Sequence, residues 1–379
     1  LSSSPDLKII ETIADIPEAH WNALAGKNPF LSHAFLRALQ ESGCATPRTG
    51  WKAQFLTLWQ DDCLVGAMPL YLKNHSYGEF VFDWAWAEAY KNEGLNYYPK
   101  LLCAVPFTPA SGLRLLAPTP EIRAQLMCAA LDLAKSSGVS SLHILFPYED
   151  QVREMQQLGM MLRKGVQFHW RNPGYADFDA FLSGMSHDKR KKIKQERRKV
   201  RDAGITFERI RGKDITAEQW TFFFGCFTHT FRQYNSPQPL NLDFFRRIGA
   251  TMPENILLVI ASHHDEPIAS ALNFFNDDAL YGRSWGALEY HPGLHFETCY
   301  YQAIEFCIEQ KIALFEGGAQ GEHKIARGFL PETTWSAHWL AHPEFSRAVE
   351  DFLQREAKGM SQYVDELNDS NPFKQRAGE

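Results

Sequence analysis

DDCLVGAMPLYLKN at residues 61–74 and HDEPIASALNFFND at residues 264–277 carry one pattern. A polar pair, Asp61-Asp62 or His264-Asp265, is followed by a run of alternating apolar residues. That is the signature of a tight turn and the return strand of a hairpin. The outgoing strands read as 53–59 and 256–262. Working outward, the order of elements recurs. A strand (7–13 or 205–210) and two helices precede each hairpin, with Ser32 and Thr216 as helix caps. A further strand follows (80–87 or 279–285), then a helix (121–135 or 296–310) and a strand (141–146 or 312–316). AKSSGVSSLHIL at 134–145 matches CIEQKIALFE at 307–316. Gly159-Met160 precedes His169-Trp170 by the interval that separates Gly328-Phe329 from His338-Trp339. Self-similarity at this period predicts two tandem α/β domains with mixed sheets, each combining antiparallel hairpins with one helical crossover.

The predicted boundaries are 1–180 for the first domain, with an aromatic, proline-rich insertion at 88–120, and 181–345 for the second. Residues 346–379 read as a C-terminal helix and tail. Between the copies lies HDKRKKIKQERRKVRD, residues 187–202, which opens the second domain. Lys189 to Arg201 holds nine basic residues and one acid, Glu196, a local charge of +8. The whole chain is −6, so the remainder carries −14. Met185, Ile193 and Val200 recur at helical spacing, and Gly204 can end the helix. The reading is a helix docked on a thin apolar edge. Lys189, Arg190, Lys192, Arg197 and Arg198 are candidates for phosphate or nucleic-acid contact. A tRNA, a nucleotide-linked precursor or an anionic membrane surface would fit such a helix; so would solvation against the chain's own acids.

Composition is that of a soluble globular protein, at 45% hydrophobic and 22% charged residues. No apolar run reaches the roughly 20 residues that span a bilayer. The opening LSSSPDLK lacks a basic segment followed by an apolar core, so no leader is expected. The seven cysteines are scattered, odd in number and never CxxC. That predicts reduced thiols and a cytoplasmic protein. The histidines show no metal-ligand spacing, so no metal is expected.

The element order resembles the GNAT acyltransferase fold. Two copies with a Lys/Arg-rich helix between them resemble the FemA/FemB/FemX peptidoglycan aminoacyltransferases. FDWAWAEAYKNEGLNYYPKLLCAVPFTPASGLRLL at 82–116 and GAQGEHKIARGFLPETTWSAHW at 318–339 are similar to FemAB-like proteins of peptidoglycan biosynthesis or recognition. Two departures stand out. The chain runs from residue 202 straight into Ile205, without the long helical arm common in Fem proteins. No Gly-rich loop for a CoA pyrophosphate is found: the corresponding EYHPGLHFET at 289–298 has one glycine. The resemblance implies an N-acyltransferase that forms an amide on a small-molecule or peptide amine acceptor. A cell-envelope precursor would be such an acceptor. The donor would be a co-substrate, aminoacyl-tRNA or acyl-CoA, with no tightly bound cofactor. A non-catalytic recognition protein and an acyl-CoA-dependent N-acetyltransferase are the alternatives.

Amide formation needs a base for the amine, donors for the oxyanion, and fixed reactants. EGGAQGEHK at 316–324 follows a strand end and combines three glycines with titratable groups. Glu316, His323 and Glu289 are the catalytic candidates, with Glu322 also able to take the proton. Gln320, Glu322, Lys324 and Arg327 are candidates for substrate binding. Tyr281, Arg283 and Trp285 share one face of their strand by alternation, with His291 beyond them. In the first copy Asp83, Trp86, Tyr98 and Lys100 are the counterparts, placed to recognise an acceptor.

Overall fold

The computed structural model describes residues 5–318 and 321–374. Eight strands occupy its first half: β1 (Asp6–Ile10), β2 (Trp51–Ala53), β3 (Phe55–Gln60), β4 (Cys63–Met68), β5 (Leu70–Lys73), β6 (Lys100–Cys103), β7 (Ser141–Leu145) and β8 (Met161–Arg171). The second half adds β9 (Ile205–Arg211), β10 (Ile256–His263), β11 (Glu266–Phe275), β12 (Ala279–Ala287), β13 (Leu314–Glu316) and β14 (Leu330–Leu340).

The repeated turn is real down to its dihedrals. Asp61 and Asp62 have φ of 48° and 61°, and His264 and Asp265 have 51° and 64°. Positive φ at both central residues is the primed turn whose twist matches a hairpin. Beyond the turns the copies differ. In the first, the hairpin is broken into two sheets. β3 and β4 join β1 in the order β1-β3-β4, while β2 and β5 continue into β2-β5-β6-β7-β14. In the second, β10 and β11 stay in one sheet ordered β8-β13-β12-β11-β10-β9.

Residues 80–87 do not form the predicted strand. Trp84–Asn92 is a helix, as its Ala, Glu and Lys content favours, and the Trp84/Trp86 alternation is too short to override that. The counterpart of β12 is instead β6, inside the stretch read as an insertion. β6 runs parallel to β7, and β12 runs parallel to β13.

The chain divides into two compact units. One comprises Leu1–Gly165 and Thr333–Gln362, the other Val166–Glu332 and Tyr363–Glu379. Boundaries at 180/181 and 345/346 are therefore corrected, and the reason is strand pairing. The end of β8, with His169 and Trp170, pairs with β13 of the second unit. The end of β14, with His338 and Trp339, pairs with β7 of the first. Each copy's last strand thus completes the other copy's sheet. The C-terminal helix Pro343–Asp369 is shared likewise: Val349 and Leu353 pack with Trp86, Tyr90 and Tyr97, whereas Leu367 joins the second unit's core.

Each unit has its own core. In the first, the helix Pro120–Ser136 buries Leu126, Met127, Ala130 and Ala134 over Leu56, Leu70 and Leu142. In the second, Tyr301, Ile304, Phe306 and Ile308 pack with Phe168, Trp170, Leu257 and Phe315. Full burial of each large apolar side chain contributes about 1.5–3 kcal/mol. The basic helix spans His187–Asp202, buries Ile193 and Val200, and ends before Gly204 at φ 75°.

Candidate functional site

β12 and β13 pair only from Ala279↔Leu314 to Tyr281↔Glu316. β12 runs on to Ala287, so beyond Tyr281 that edge has no strand partner among the described residues. A break in the β11–β12 register between Leu272 and Asn273 bends the strand at the same level. Where the strands part lies a cavity of about 130 Å³, lined by Asn273, Arg283, Trp285, His295, Tyr300 and Gly317, among others. It has room for about four waters or a small acyl group.

Its far wall is a helix with a defect. Residues predicted as one helix form Leu294–Phe296, a π-helical turn Glu297–Tyr301, and Gln302–Gln310. The wide turn carries Cys299 and Tyr300 on the cavity and Glu297 toward the basic helix. Such bulges recur at functional sites. Gly317 is required by space, because a Cβ there would come within 2.8 Å of the Phe329 ring and 3.1 Å of the Phe168 carbonyl.

The predicted segment after β13 borders this cavity. Glu316 is buried at the strand end, and its charge favours the cationic form of Arg283, against burial, which disfavours it. His323 is exposed and lies 3.2 Å from the Tyr300 hydroxyl, its ring against Phe296 and His295. Burial, with Arg327 and Lys324 nearby, lowers its pKa and keeps the imidazole neutral. Lys324 is buried, donates to the Gly318 carbonyl at 3.3 Å and is pushed down to about 8 by burial. Glu322 is exposed and accepts from the Tyr363 hydroxyl. Gln320 lies outside the described residues.

Arg327 has a different role from the one expected. It donates to Glu196 at 2.6 Å and to the His323 carbonyl, and it stacks 3.3 Å over Phe296. Glu196, the single acid of the basic stretch, also accepts from Tyr301 at 2.5 Å. Arg197 is likewise spent inward: it grips Glu297 through two nitrogens and Glu305 through a third contact. The basic helix is therefore docked by charge on the wall of the cavity, and Arg197 is no phosphate ligand. Arg198 pairs with Asp202 on the surface. Lys189, Arg190 and Lys192 have no acidic partner among the described residues. Arg190 and Arg198, with Lys191 and Lys194, line a shallow groove of about 310 Å³.

Glu289 and His291 are absent from the cavity lining. They sit in the loop after β12, beside His263, with His291 Nε2 3.1 Å from Glu289 Oε2. One donor atom from each of the three lies within 4.8 Å of the others, a convergence that sequence spacing did not reveal. Tyr281 is buried beside Glu316 in register and does not line the cavity.

In the first unit the predicted binding residues form a buried charge cluster. Lys100 Nζ donates to Asp83 at 2.5 Å, Glu79 at 2.7 Å and Ser76 at 2.8 Å. Lys73 lies 3.8 Å from Glu79 and 3.5 Å over the Trp51 ring. Tyr97 bridges Asp83 and His143, and His143 meets His338 at 2.8 Å. Burial alone would raise the Asp83 carboxyl, but Lys100 and His143 hold it well below the usual range. Glu79 goes the other way, pushed up to about 7 by burial. Asp83, Trp86 and Lys100 are buried and Tyr98 is half-buried, so the cluster reads as the unit's structural centre. Glu79, Lys73 and His143 escaped the sequence reading, as did Asn273, His295 and Tyr300 at the cavity.

Two α/β units with a parallel pair that splays at the strand end define the class, a tandem GNAT-like fold. FemX matches with a TM-score of 0.56 at 12% identity over 88% of this chain and 98% of that one. L-PGS from Bacillus licheniformis matches at 0.55 and 9% over 93% and 98%. The C-terminal domain of a putative lysylphosphatidylglycerol synthetase from Agrobacterium fabrum matches at 0.54 and 9% over 88% and 96%. The chain belongs to the FemAB-like family, peptidoglycan biosynthesis/recognition, whose model matches residues 12–375. No curated protein matches the chain. No helix among the described residues is long and apolar enough to cross a membrane.

Proposed function

We propose that the second unit catalyses acyl transfer to an amine, with aminoacyl-tRNA as donor and a cell-envelope precursor as acceptor. The observation that carries this is the parting of β12 from β13 over a small cavity lined by Arg283 and Tyr300, with the neutral imidazole of His323 3.2 Å from the Tyr300 hydroxyl. The acceptor nitrogen attacks the donor carbonyl; an N–C bond forms and the donor's ester C–O bond breaks. The amine proton passes to a base, and the departing hydroxyl takes one up. His323 suits the base, being solvent-accessible and unprotonated at neutral pH. Glu316 and Glu322 are the alternatives, whereas Glu289 lies away from the cavity lining. Arg283 lines the cavity, where a guanidinium stabilises a developing oxyanion.

The donor assignment rests on two features. The loop leading to the helix at Leu294 has a single glycine, unlike a CoA pyrophosphate cradle. Among the described residues Lys189, Arg190 and Lys192 of the basic helix have no acidic partner, which suits contact with a phosphate backbone. The family's link to peptidoglycan and the names of the structural neighbours support an envelope acceptor. The competing reading is a recognition protein that binds in the same cavity without turnover.

A salt-dependent titration against charged tRNA, uncharged tRNA and acetyl-CoA tests this, followed by single-turnover assays of the donor. Tight tRNA binding with a steep salt slope, lost in K189E/R190E/K192E, is expected. Acetyl-CoA binding without tRNA affinity would move the donor to an acyl thioester. Binding without turnover, unchanged in His323→Ala, would establish the recognition protein instead.

A further inference from the structure

We propose that His263, Glu289 and His291 form a site for a divalent late first-row transition-metal ion, of which Zn²⁺ is the type. The residues come from two places that the fold brings together. His263 is the last residue of β10, and Glu289 and His291 lie in the loop that leaves β12. Glu289 Oε2 is 3.1 Å from His291 Nε2 and 3.7 Å from His263 Nδ1. Two ligands about 2.1 Å from a tetrahedral ion lie about 3.4 Å apart. The two spacings to Glu289 straddle that value, and the two histidine nitrogens lie within 4.8 Å of each other, so side-chain movement alone can bring the three around an ion.

The donor set selects the ion. Two imidazoles and one carboxylate suit zinc, cobalt or nickel, whereas calcium and magnesium prefer all-oxygen shells. Both histidines are half-buried and Glu289 is exposed, which leaves a solvent-facing position for a water as fourth ligand. The His264 ring packs against that of His263, tilted by 33° with centroids 4.1 Å apart, and restricts it.

The placement gives the ion a role. Residues 288–293 link β12, which supplies Arg283 and Trp285 to the cavity, to the helix that supplies His295. Leu288 and Tyr290 in this link are 50% and 89% exposed, so little apolar packing fixes it. Gly293, at φ 89°, then turns the chain into the helix. An ion held by His263 would clamp the link to the end of β10 and thereby steady one wall of the cavity. This inference does not depend on which acyl donor is used, or on turnover at all.

The test is calorimetric titration of Zn²⁺ into the untagged, chelator-treated full chain, beside His263→Ala, His291→Ala and Glu289→Gln. One ion per chain is expected, with a melting temperature that rises with free zinc and slower proteolytic cleavage within 288–293. Each histidine variant should weaken binding by about tenfold or more, since losing even a partner of a metal ligand costs that much. Metal-free melts of the variants should stay close to the parent's, because Glu289 is exposed and neither half-buried histidine belongs to a hydrophobic core. No binding up to about 1 mM zinc would overturn the proposal. So would affinity that survives His263→Ala and His291→Ala, because the ion would then be bound elsewhere.

Discussion

Lys100→Met removes the ammonium from the charge cluster of the first unit while nearly keeping the side chain's volume. The side chains of Lys100, Glu79 and Asp83 are 0%, 2% and 4% exposed, so no water takes the cation's place. Breaking one side of a buried pair costs about 3–5 kcal/mol. A domain of this size loses about 2–4 °C per kcal/mol, so the melting temperature should fall by about 6–20 °C. Glu79 offers a partial escape. Its carboxyl is already pushed up to about 7 by burial and can neutralise itself by binding a proton. The loss should therefore be smaller at about pH 6 than at about pH 8. Calorimetric melts of the parent, Lys100→Met and the triple variant E79Q/D83N/K100M at both pH values measure this. The triple variant leaves only Lys73, whose ammonium burial pushes down to about 7 so that it can shed its proton, and should recover most of the loss. A Lys100→Met chain within about 1 kcal/mol of the parent at the higher pH would refute the structural role. If it also lost acceptor binding, the cluster would be a ligand site after all.

Four further outcomes follow from named contacts. Arg197→Met leaves Glu297 buried against the basic helix; with Arg197 partly exposed the loss is about 2–3 kcal/mol, at the low end for a broken buried pair, read by denaturant unfolding. K189E/R190E/K192E should leave that stability within about 0.5 kcal/mol, so binding and folding roles of the helix separate in one pair of experiments. Gly317→Ala should cost about 1–3 kcal/mol by overpacking against Phe329 and shrink the cavity, read as reduced ligand affinity beside the melt. Finally, Asp83 and Glu79 impose opposite pH slopes. Asp83 is held low when folded, so its stabilisation is present above its unfolded pKa of about 3.9 and is lost as pH falls further. Glu79 is held high, so its contribution is present below about 4.3 and fades as pH rises through about 7. Glu79→Gln should flatten the decline between those values, which a series of melts against pH would detect.

The hairpins, the basic helix and the tandem repeat were legible because each is written locally. The pairs Asp61-Asp62 and His264-Asp265 demand a turn, and the alternation after them demands strands. Where an element depended on distant partners, the sequence misled. Trp84 and Trp86 alternate like a strand yet lie on a helix. Lys100 to Cys103 looked like part of a loop and is a central strand, because β5 and β7 pair with it on both sides. The exchange of β8 and β14 left its trace only in the matched His169-Trp170 and His338-Trp339. Those pairs mark equivalent strands but cannot say which sheet each one enters.

The site followed the same division, with a sharper lesson about charge. The dense run of titratable residues at 316–327 lies beside the cavity: Gly317 lines it, and His323 reaches Tyr300, which lines it too. Charge alone could not separate residues facing a ligand from residues holding the wall. Arg197 looked like a phosphate ligand and Arg327 like a substrate-binding residue, and they are committed to Glu297, Glu305 and Glu196. The discriminating fact is the acid across from them, which lies about 100 or more positions away in sequence. The cationic surface available to a polyanion is therefore smaller than the +8 of the segment. It is concentrated on the residues that meet no such acid among the described residues, including Lys189, Arg190 and Lys192. A helix that spends Glu196 and Arg197 on docking and turns Lys189, Arg190 and Lys192 away from them ties ligand binding to the wall of the cavity. An anion drawn to Lys189 and Arg190 sits on the same rigid element that Glu196 and Arg197 fasten to Tyr301, Arg327 and Glu297. That coupling is why neutralising the inward pair should disturb the cavity, while reversing the outward charges should disturb only the encounter.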